Sequence, residues 1–434
     1  MKSSCVVVIG GGAAGAGAAH LLCRAGFDVL VMERDSAVGG RIRSRHVGGS
    51  TFEAGAHFFT NFYPKTLELI EQVGLAEKVT ATPAEAAIIR AGQLRSVRSP
   101  GTILGAGLIS QGAKARLLTE LMRTFRHWGC LKIEDLAAAE SLDTCSVEDL
   151  LRRGHGPELL DYVFQPAMSA FLYWVPERTS MAVVPLFLKS ALALRGMWIL
   201  RDGFDELVTR ALEKATILSG HEVLSVTEIG DRCVVRARSS DGEAVEVEAA
   251  GVVCTIPAVG VSSVVNGLSA EQRAFFDAVS YSSTVSAIHG SRPGGPSGAP
   301  ACFYPARENG LLAAVTRTTT EHDGRPLEIV KVHSSGPAAR TLIGEPDEVI
   351  VERLHAAAGL EPDSARCEFQ EVHRWPQALP EFRVGYLSRL AQFGATASES
   401  GRVHFAGDYL AGPFVEGAIQ SGQRAAAGLA QRIG

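Results

Sequence analysis

The stretch VVVIGGGAAGAGAAHLL, Val6 to Leu22, decides the fold: a short apolar run stops at three glycines and turns into small residues at helical spacing. Cys5 to Ile9 is continuously apolar and short, the pattern of a strand buried on both faces, and Ala13 to Ala25 then has the spacing of a helix that Gly26 ends. FDVLVMER resumes the strand pattern. Residues 5–34 therefore read as one βαβ unit with a glycine turn between its first two elements.

Gly10, Gly12 and Gly15 form G-x-G-x-x-G in the context that gives the pattern meaning, directly after a strand and opening a helix at Ala13 and Ala14. The first glycine permits the tight turn, the second lets a pyrophosphate approach the backbone, and the third lets helix and strand pack closely. The helix N-terminus adds free N–H groups and the positive end of its dipole. Glu33, followed by Arg34, ends the second strand 23 residues after Gly10. A carboxylate there accepts hydrogen bonds from the hydroxyls of an adenosine ribose and repels a 2′-phosphate. NAD and FAD share this fingerprint. The segment ERDSAVGGRIRS favours FAD, because Gly39, Gly40 and Arg41 can wrap a second backbone segment and a guanidinium around the same pyrophosphate, as an extended, permanently bound dinucleotide requires.

At 434 residues the chain is long for one core, and two or three domains are expected. With 46% hydrophobic and 21% charged residues it has an ordinary globular α/β composition. A net charge of -5 without any long run of Lys or Arg leaves no footprint for a nucleic-acid backbone. The eight cysteines occur singly, so neither a disulfide ladder nor a paired metal-ligand spacing can be read from them; that suits a cytoplasmic protein, and no metal site is expected. The first strand begins after four residues, which leaves no room here for a signal peptide. Met181 to Leu200 is the most lipid-like stretch, but Pro185, Lys189 and Arg195 interrupt it. It reads as a buried helix or channel wall rather than a transmembrane span, with peripheral membrane contact left open.

Further along, residues 63–200 are mostly helical in period, as in AKARLLTELMRTF and PELLDYVFQPAMSAF, and suggest a separate helical layer. Residues 217–255 change to short alternating strands broken by Gly-Asp and Asp-Gly turns, a three-stranded meander leading into a buried strand. Strand-like stretches at 285–289, 311–318 and 327–333 suggest a second sheet. The tail closes with RVHFAGD and the small-residue helix EGAIQSGQRAAAGLA.

On the N-terminal stretch through Ser44, on STFEAGAHFF, GVVCTIPA and HRWPQALPEFRVGYLSRL, and on VHFAGDYLAGPFVEGAIQSGQRAA, the sequence resembles the flavin-containing amine oxidase superfamily, including its protoporphyrinogen oxidase and phytoene-type desaturase branches. The resemblance spans nearly the whole chain. It implies an α/β protein with a discontinuous, Rossmann-like FAD-binding domain from residues 1–80, 205–265 and 367–434. An α+β substrate domain of helices and a mixed sheet would come from 81–204 and 266–366. It places Val223 against the adenine, and Gly407 and Asp408 at the pyrophosphate and ribityl chain. Val415, Glu416, Gly417 and Ala418 would lie under the flavin pyrimidine edge, with Gly55, Ala56 and His57 approaching the flavin ring. Thr255 and Trp375 complete the cofactor set. With no Cys between Pro376 and Ser400, non-covalent FAD is expected.

The resemblance also bears on reaction type. His57 could be a general base or hold a structural place, and the second is favoured because hydride chemistry at a flavin often needs no strong protein base. Amine oxidases place a Lys near the flavin at the position that matches Ser286 here, which weighs against amine oxidation. Lys331 could be a displaced substitute, although a strand Lys is more often a solvated edge residue. Phe414 matches one of the two rings that frame an amine substrate. Tyr409, Tyr173 and Trp174 are further candidates for the substrate wall, with core packing the plainer role. The expected activity is FAD-dependent removal of hydride from a hydrophobic, cyclic or polyenic small metabolite to flavin N5, forming a C=C or C=N bond, with oxygen as electron acceptor. Amine or amino-acid oxidation with peroxide release is the alternative, and a redox-neutral isomerase or scaffold the second alternative.

Overall fold

The computed structural model describes residues 5–133, 135–155, 157–293, 298–360, 366–397 and 401–434, and its architecture is α/β. A five-stranded parallel sheet runs in the order Thr216–Leu218, Asp28–Met32, Cys5–Ile9, Gly251–Cys254, Val403–Phe405. Its strands come from three distant parts of the chain. Val6, Val7, Val8, Val252 and Val253 have no exposed surface, since both faces are covered. Helices Ala13–Arg24 and Val415–Ile433 lie on one face. The antiparallel meander His221–Ile229, Arg232–Ser239, Ala244–Ala249 lies on the other, with Cys233, Val235 and Ala237 turned inward. The two helices approach through small residues: a Cβ on Gly422 would stand 2.0 Å from the Ala14 carbonyl oxygen.

The second sheet has seven strands in the order Cys367–Trp375, Thr284–Ser291, Arg325–Ser334, Leu312–His322, Ala301–Phe303, Ala86–Arg90, Gln93–Val97. All neighbours are antiparallel except Ala301–Phe303 with Ala86–Arg90. Helices Gly336–Leu342 and Asp347–Ala358 cover one face over Val285, Ala287, Val330 and Val332. The other face looks toward the glycine-rich end of the parallel sheet and carries the site described below.

Three details differ from the sequence reading. Residues 86–97, read as part of a helical layer, form a hairpin at the edge of the second sheet. Its turn is Ala91-Gly92, with Ala91 itself at φ 51, and lacks the Asn-Gly or Asp-Gly signal that marks a hairpin. Residues 367–375, grouped in the sequence reading with the cofactor segments, form the opposite edge strand of that same sheet, so the chain returns to the parallel sheet only at Val403. The Met181–Leu200 run divides into helix Val183–Ala193 and strand Met197–Leu200. No described helix is long and apolar enough to cross a membrane.

Candidate cofactor and active site

The glycine turn is held by the residues around it. Gly10 takes φ +99, and a Cβ on Gly15 would stand 2.0 Å from the Gly10 carbonyl oxygen, so helix and turn meet as closely as backbone allows. Thr255 does not point outward: its hydroxyl donates to the carbonyls of Ile9 and Gly10 at 2.8 and 3.0 Å and clamps the turn. Glu33 accepts the Gly11 N–H at 2.7 Å and the Asp35 N–H at 2.9 Å, which fixes its carboxylate at the end of the second strand. The second glycine segment lies against the first, with a Gly12–Gly39 bridge and the Gly39 N–H donated to the Gly11 carbonyl at 2.8 Å. Arg34 is exposed beside Asp35.

Arg41 ties the two ends of the chain together. Its guanidinium donates to both oxygens of Asp408, at 2.7 and 3.0 Å, and to the Ala378 carbonyl at 2.9 Å. Helices Ala13–Arg24 and Val415–Ile433 both start at this seam with no side-chain cap, from Gly12 and Phe414. Their first-turn N–H groups and dipoles therefore favour an anion between them. Glu416 is turned away from that seam. Its oxygens accept the N–H groups of Lys65 and Thr66 and the Thr66 hydroxyl, each at 2.8 Å, and cap helix Pro64–Gln72. At this position only the backbone can face a ligand. Gly407 is positioned by Ser421, whose hydroxyl meets its N–H and carbonyl at 2.9 Å.

Facing the seam is the open face of the seven-stranded sheet. On Arg325–Ser334, residues Leu327, Ile329, Lys331 and His333 share a face, with Ile288 across from Lys331 and Ser286 across from His333. The far end is apolar, where Leu327, Ile329 and Ile288 pack with Phe52 of hairpin Ser44–Glu53. The near end is polar. His333 Nδ1 lies 2.8 Å from Ser286 Oγ, and the Tyr173 ring centre is 6.4 Å from that of His333. His57 reaches the same group from the loop after the hairpin. Trp375 pins that loop by donating its indole N–H to the Ala54 carbonyl at 3.0 Å. His57, Tyr173, His333, Gly55, Ala56 and Phe414 are all half-buried although they lie deep in the molecule, so they line an interior cleft.

The electrostatics of the cleft follow from desolvation. Burial, reinforced by the charge of Lys331, pushes His57 and His333 down to about 3, so both imidazoles are neutral at physiological pH. Burial raises the Tyr173 phenol to about 12. Lys331 is 7% exposed and sits on a central strand, not the solvated edge expected for it. Burial pulls its ammonium down to about 8, opposed by the through-space pull of Glu53. It remains mainly protonated near pH 7 and is the cation of the cleft wall.

The model of one protein family, described as flavin containing amine oxidoreductase, matches residues 13–430. The chain belongs to that family. It is 28% identical over 179 residues to protoporphyrinogen oxidase 2 of Arabidopsis thaliana, a match covering 41% of this chain and 34% of that protein. It is 30% identical over 135 residues to coproporphyrinogen III oxidase of Mycobacterium bovis, covering 29% of each. The matches thus span about a third of these relatives. Its fold is shared by cyclohexylamine oxidase from Brevibacterium oxydans IH-35A, at a TM-score of 0.76 and 18% identity over 98% of both chains.

The family is one of flavin-containing oxidoreductases. The glycine cradle, the strand-end Glu33 and the two uncapped helix N-termini fit a dinucleotide with a pyrophosphate at the seam. The structure brings Gly10, Gly12, Ala13, Ala14, Gly15, Gly40, Arg41, Gly407, Asp408, Val415, Gly417 and Ala418 to that seam, and His57, Tyr173 and Phe414 to the cleft. Val223 is buried on the meander. Two candidates for the substrate wall lie elsewhere: Trp174 is 2% exposed against Phe382, and Tyr409 is 1% exposed against Phe276. Both are core residues, because each packs within the large aromatic cluster behind the cleft. Sequence reasoning missed His333, whose signal was present in PLEIVKVHSS. Two basic side chains there share the face of Leu327 and Ile329, and a strand that is apolar on that face does not carry them to solvent.

Proposed function

We propose that the protein oxidises a hydrophobic, cyclic or polyenic metabolite by hydride removal, forming a C=C or C=N bond, with oxygen as the final acceptor. Bound FAD, held without a covalent link, supplies the two-electron acceptor. Residues Gly10 to Gly15, Gly40, Arg41 and the start of helix Val415–Ile433 hold its pyrophosphate and ring, and Glu33 receives the ribose. The cleft residues orient substrate and exclude water. His57 does not serve as general base in this reading, since an imidazole that resists protonation until about pH 3 is a weak proton acceptor at neutral pH.

The observation that carries the reading is the Ser286–His333 pair: where the resemblance to amine oxidases calls for a Lys near the flavin, this chain has a serine whose hydroxyl lies 2.8 Å from His333 Nδ1. The partial identity to porphyrinogen oxidases supports the same choice over amines. The test is an anaerobic screen of the holoenzyme, following the flavin band at about 450 nm. Bleaching by porphyrinogen-type and other carbon substrates but not by amines is expected. Bleaching by amines with peroxide on readmitting air would reverse the order, and a flavin that no substrate bleaches would point to a redox-neutral role.

A further inference from the structure

Lys331 is a buried cation whose donors are unused. No described residue forms a hydrogen bond or ion pair with its Nζ, although the residue is 7% exposed. The one carboxylate that acts on it is Glu53, and only through space. Both Glu53 oxygens are engaged elsewhere, one accepting the Phe204 N–H and the other the Ser44 hydroxyl, each at 2.8 Å. Glu53 therefore balances the charge at a distance without satisfying the three ammonium donors. A buried ammonium left in this state is costly unless an acceptor reaches it.

The other groups facing Lys331 cannot take that place. On its own strand His333 is engaged with Ser286 and neutral, and His57 on the facing loop is neutral too. On the outer strand Glu371 shares the face but is bound by Arg45 through two hydrogen bonds, at 2.8 and 2.9 Å, and by His373 at 2.9 Å. Phe58 and Phe171 pack edge to face at 6.1 Å along the approach to His57, and Phe171 is 41% exposed, so the way in is apolar.

We propose that Lys331 is the anchor of an anion subsite in the cleft, and that the substrate is an apolar molecule carrying a carboxylate that docks on its ammonium. This rests on the proposed function and narrows its substrate class. No described residue accepts from the ammonium; a carboxylate accepts its N–H groups and leaves the apolar body against Phe58 and Tyr173. His57 and His333, both neutral, can donate or accept around the guest without competing for it.

The test is equilibrium binding to the holoenzyme, so it does not depend on turnover. Sodium benzoate is titrated by calorimetry and by the change in the flavin visible spectrum, with benzamide as the neutral isostere. Benzoate should bind at least tenfold more tightly than benzamide, and Lys331→Met should abolish that preference while Lys331→Arg keeps most of it. Wild-type affinity for benzoate should fall tenfold per pH unit once the pH exceeds that at which Lys331 loses its proton, while benzamide affinity stays level. His57, His333, His373 and Glu371 are held below their ordinary values and Arg45 above its own, so none of these changes charge in that range. Equal binding of the two probes, or an undiminished preference in Lys331→Met, overturns the proposal. Should Lys331→Met fail to retain flavin, the wild-type pH profile decides in its place, and a flat benzoate profile overturns the proposal. Substrate turnover plays no part in these outcomes, so failure of the anion subsite is distinguishable from failure of the oxidase reading.

Discussion

Removing the Arg41 guanidinium tests whether the two ends of the chain are joined as described. Asp408 has 4% of its side chain exposed and Arg41 34%, and three hydrogen bonds of 2.7 to 3.0 Å leave the guanidinium. Arg41→Met keeps much of the stem volume but strands the Asp408 carboxylate and the Ala378 carbonyl. Breaking a buried pair from one side costs about 3–5 kcal/mol. Water reaching the arginine side recovers part of this, so a loss of about 3 kcal/mol is expected. Asp408→Asn keeps one acceptor and leaves a partly exposed guanidinium, for about 1 kcal/mol. The double variant no longer buries a lone charge, and it should be roughly 2 kcal/mol more stable than the sum of the single losses. Urea unfolding at a fixed excess of FAD, which holds the mass-action contribution constant, measures all three. Strict additivity, or single losses below about 0.5 kcal/mol, would refute the idea that this pair closes the seam.

Glu416→Ala should destabilise by about 3 kcal/mol, because the Thr66 N–H and hydroxyl it frees are fully buried and water cannot replace the carboxylate; thermal unfolding should show this, whereas Glu416→Gln, which keeps an acceptor, should lose less. Stability should fall as pH drops below about 6.5, the ordinary histidine value, because burial holds His57 and His333 down to about 3 and His289 down to about 4, so the unfolded chain binds protons that the folded one refuses. Each contributes a slope of about 1.4 kcal/mol per pH unit at most. Glu53 and Glu416, which burial raises, oppose this slope at the acid end. Urea midpoints that do not move between pH 7 and pH 5 would remove the buried-neutral assignment.

The first βαβ unit was legible because period, length and glycine placement agree over residues 5–34, and nothing distant is needed to read them. The meander was legible for a similar reason, from alternation with Gly-Asp and Asp-Gly turns. The hairpin at 86–97 was not, since its five-residue strands match both periods and its turn places a non-glycine residue at positive φ. Glu416 shows another limit. Its position in the motif marks a helix start near the flavin, but its side chain is claimed by Lys65 and Thr66, some 350 residues earlier, and no local pattern reports such a partner. Lys331 depended on strand order: the same residue on an edge strand would be solvated, and only the pairing on both sides makes it buried.

The division of labour between the two walls explains why the family supports several chemistries on one frame. The seam, built from backbone N–H groups, glycines and the Arg41–Asp408 pair, fits a dinucleotide whatever the substrate. Selection must come from the sheet face opposite, where a change of one side chain reverses the sign of the charge that is welcome. Two like charges 4 Å apart at an effective dielectric of 20 repel by about 4 kcal/mol, close to a thousandfold in affinity. A carboxylate at the same distance gains attraction of comparable size, less its own desolvation. On the anion-subsite proposal, Lys331 selects a carboxylate over a neutral guest more strongly than any apolar contact there, since one methylene is worth only about 1–3 kcal/mol. The far end of the same strand is apolar, sealed on Phe52, so Lys331 stands where this wall turns from apolar to polar.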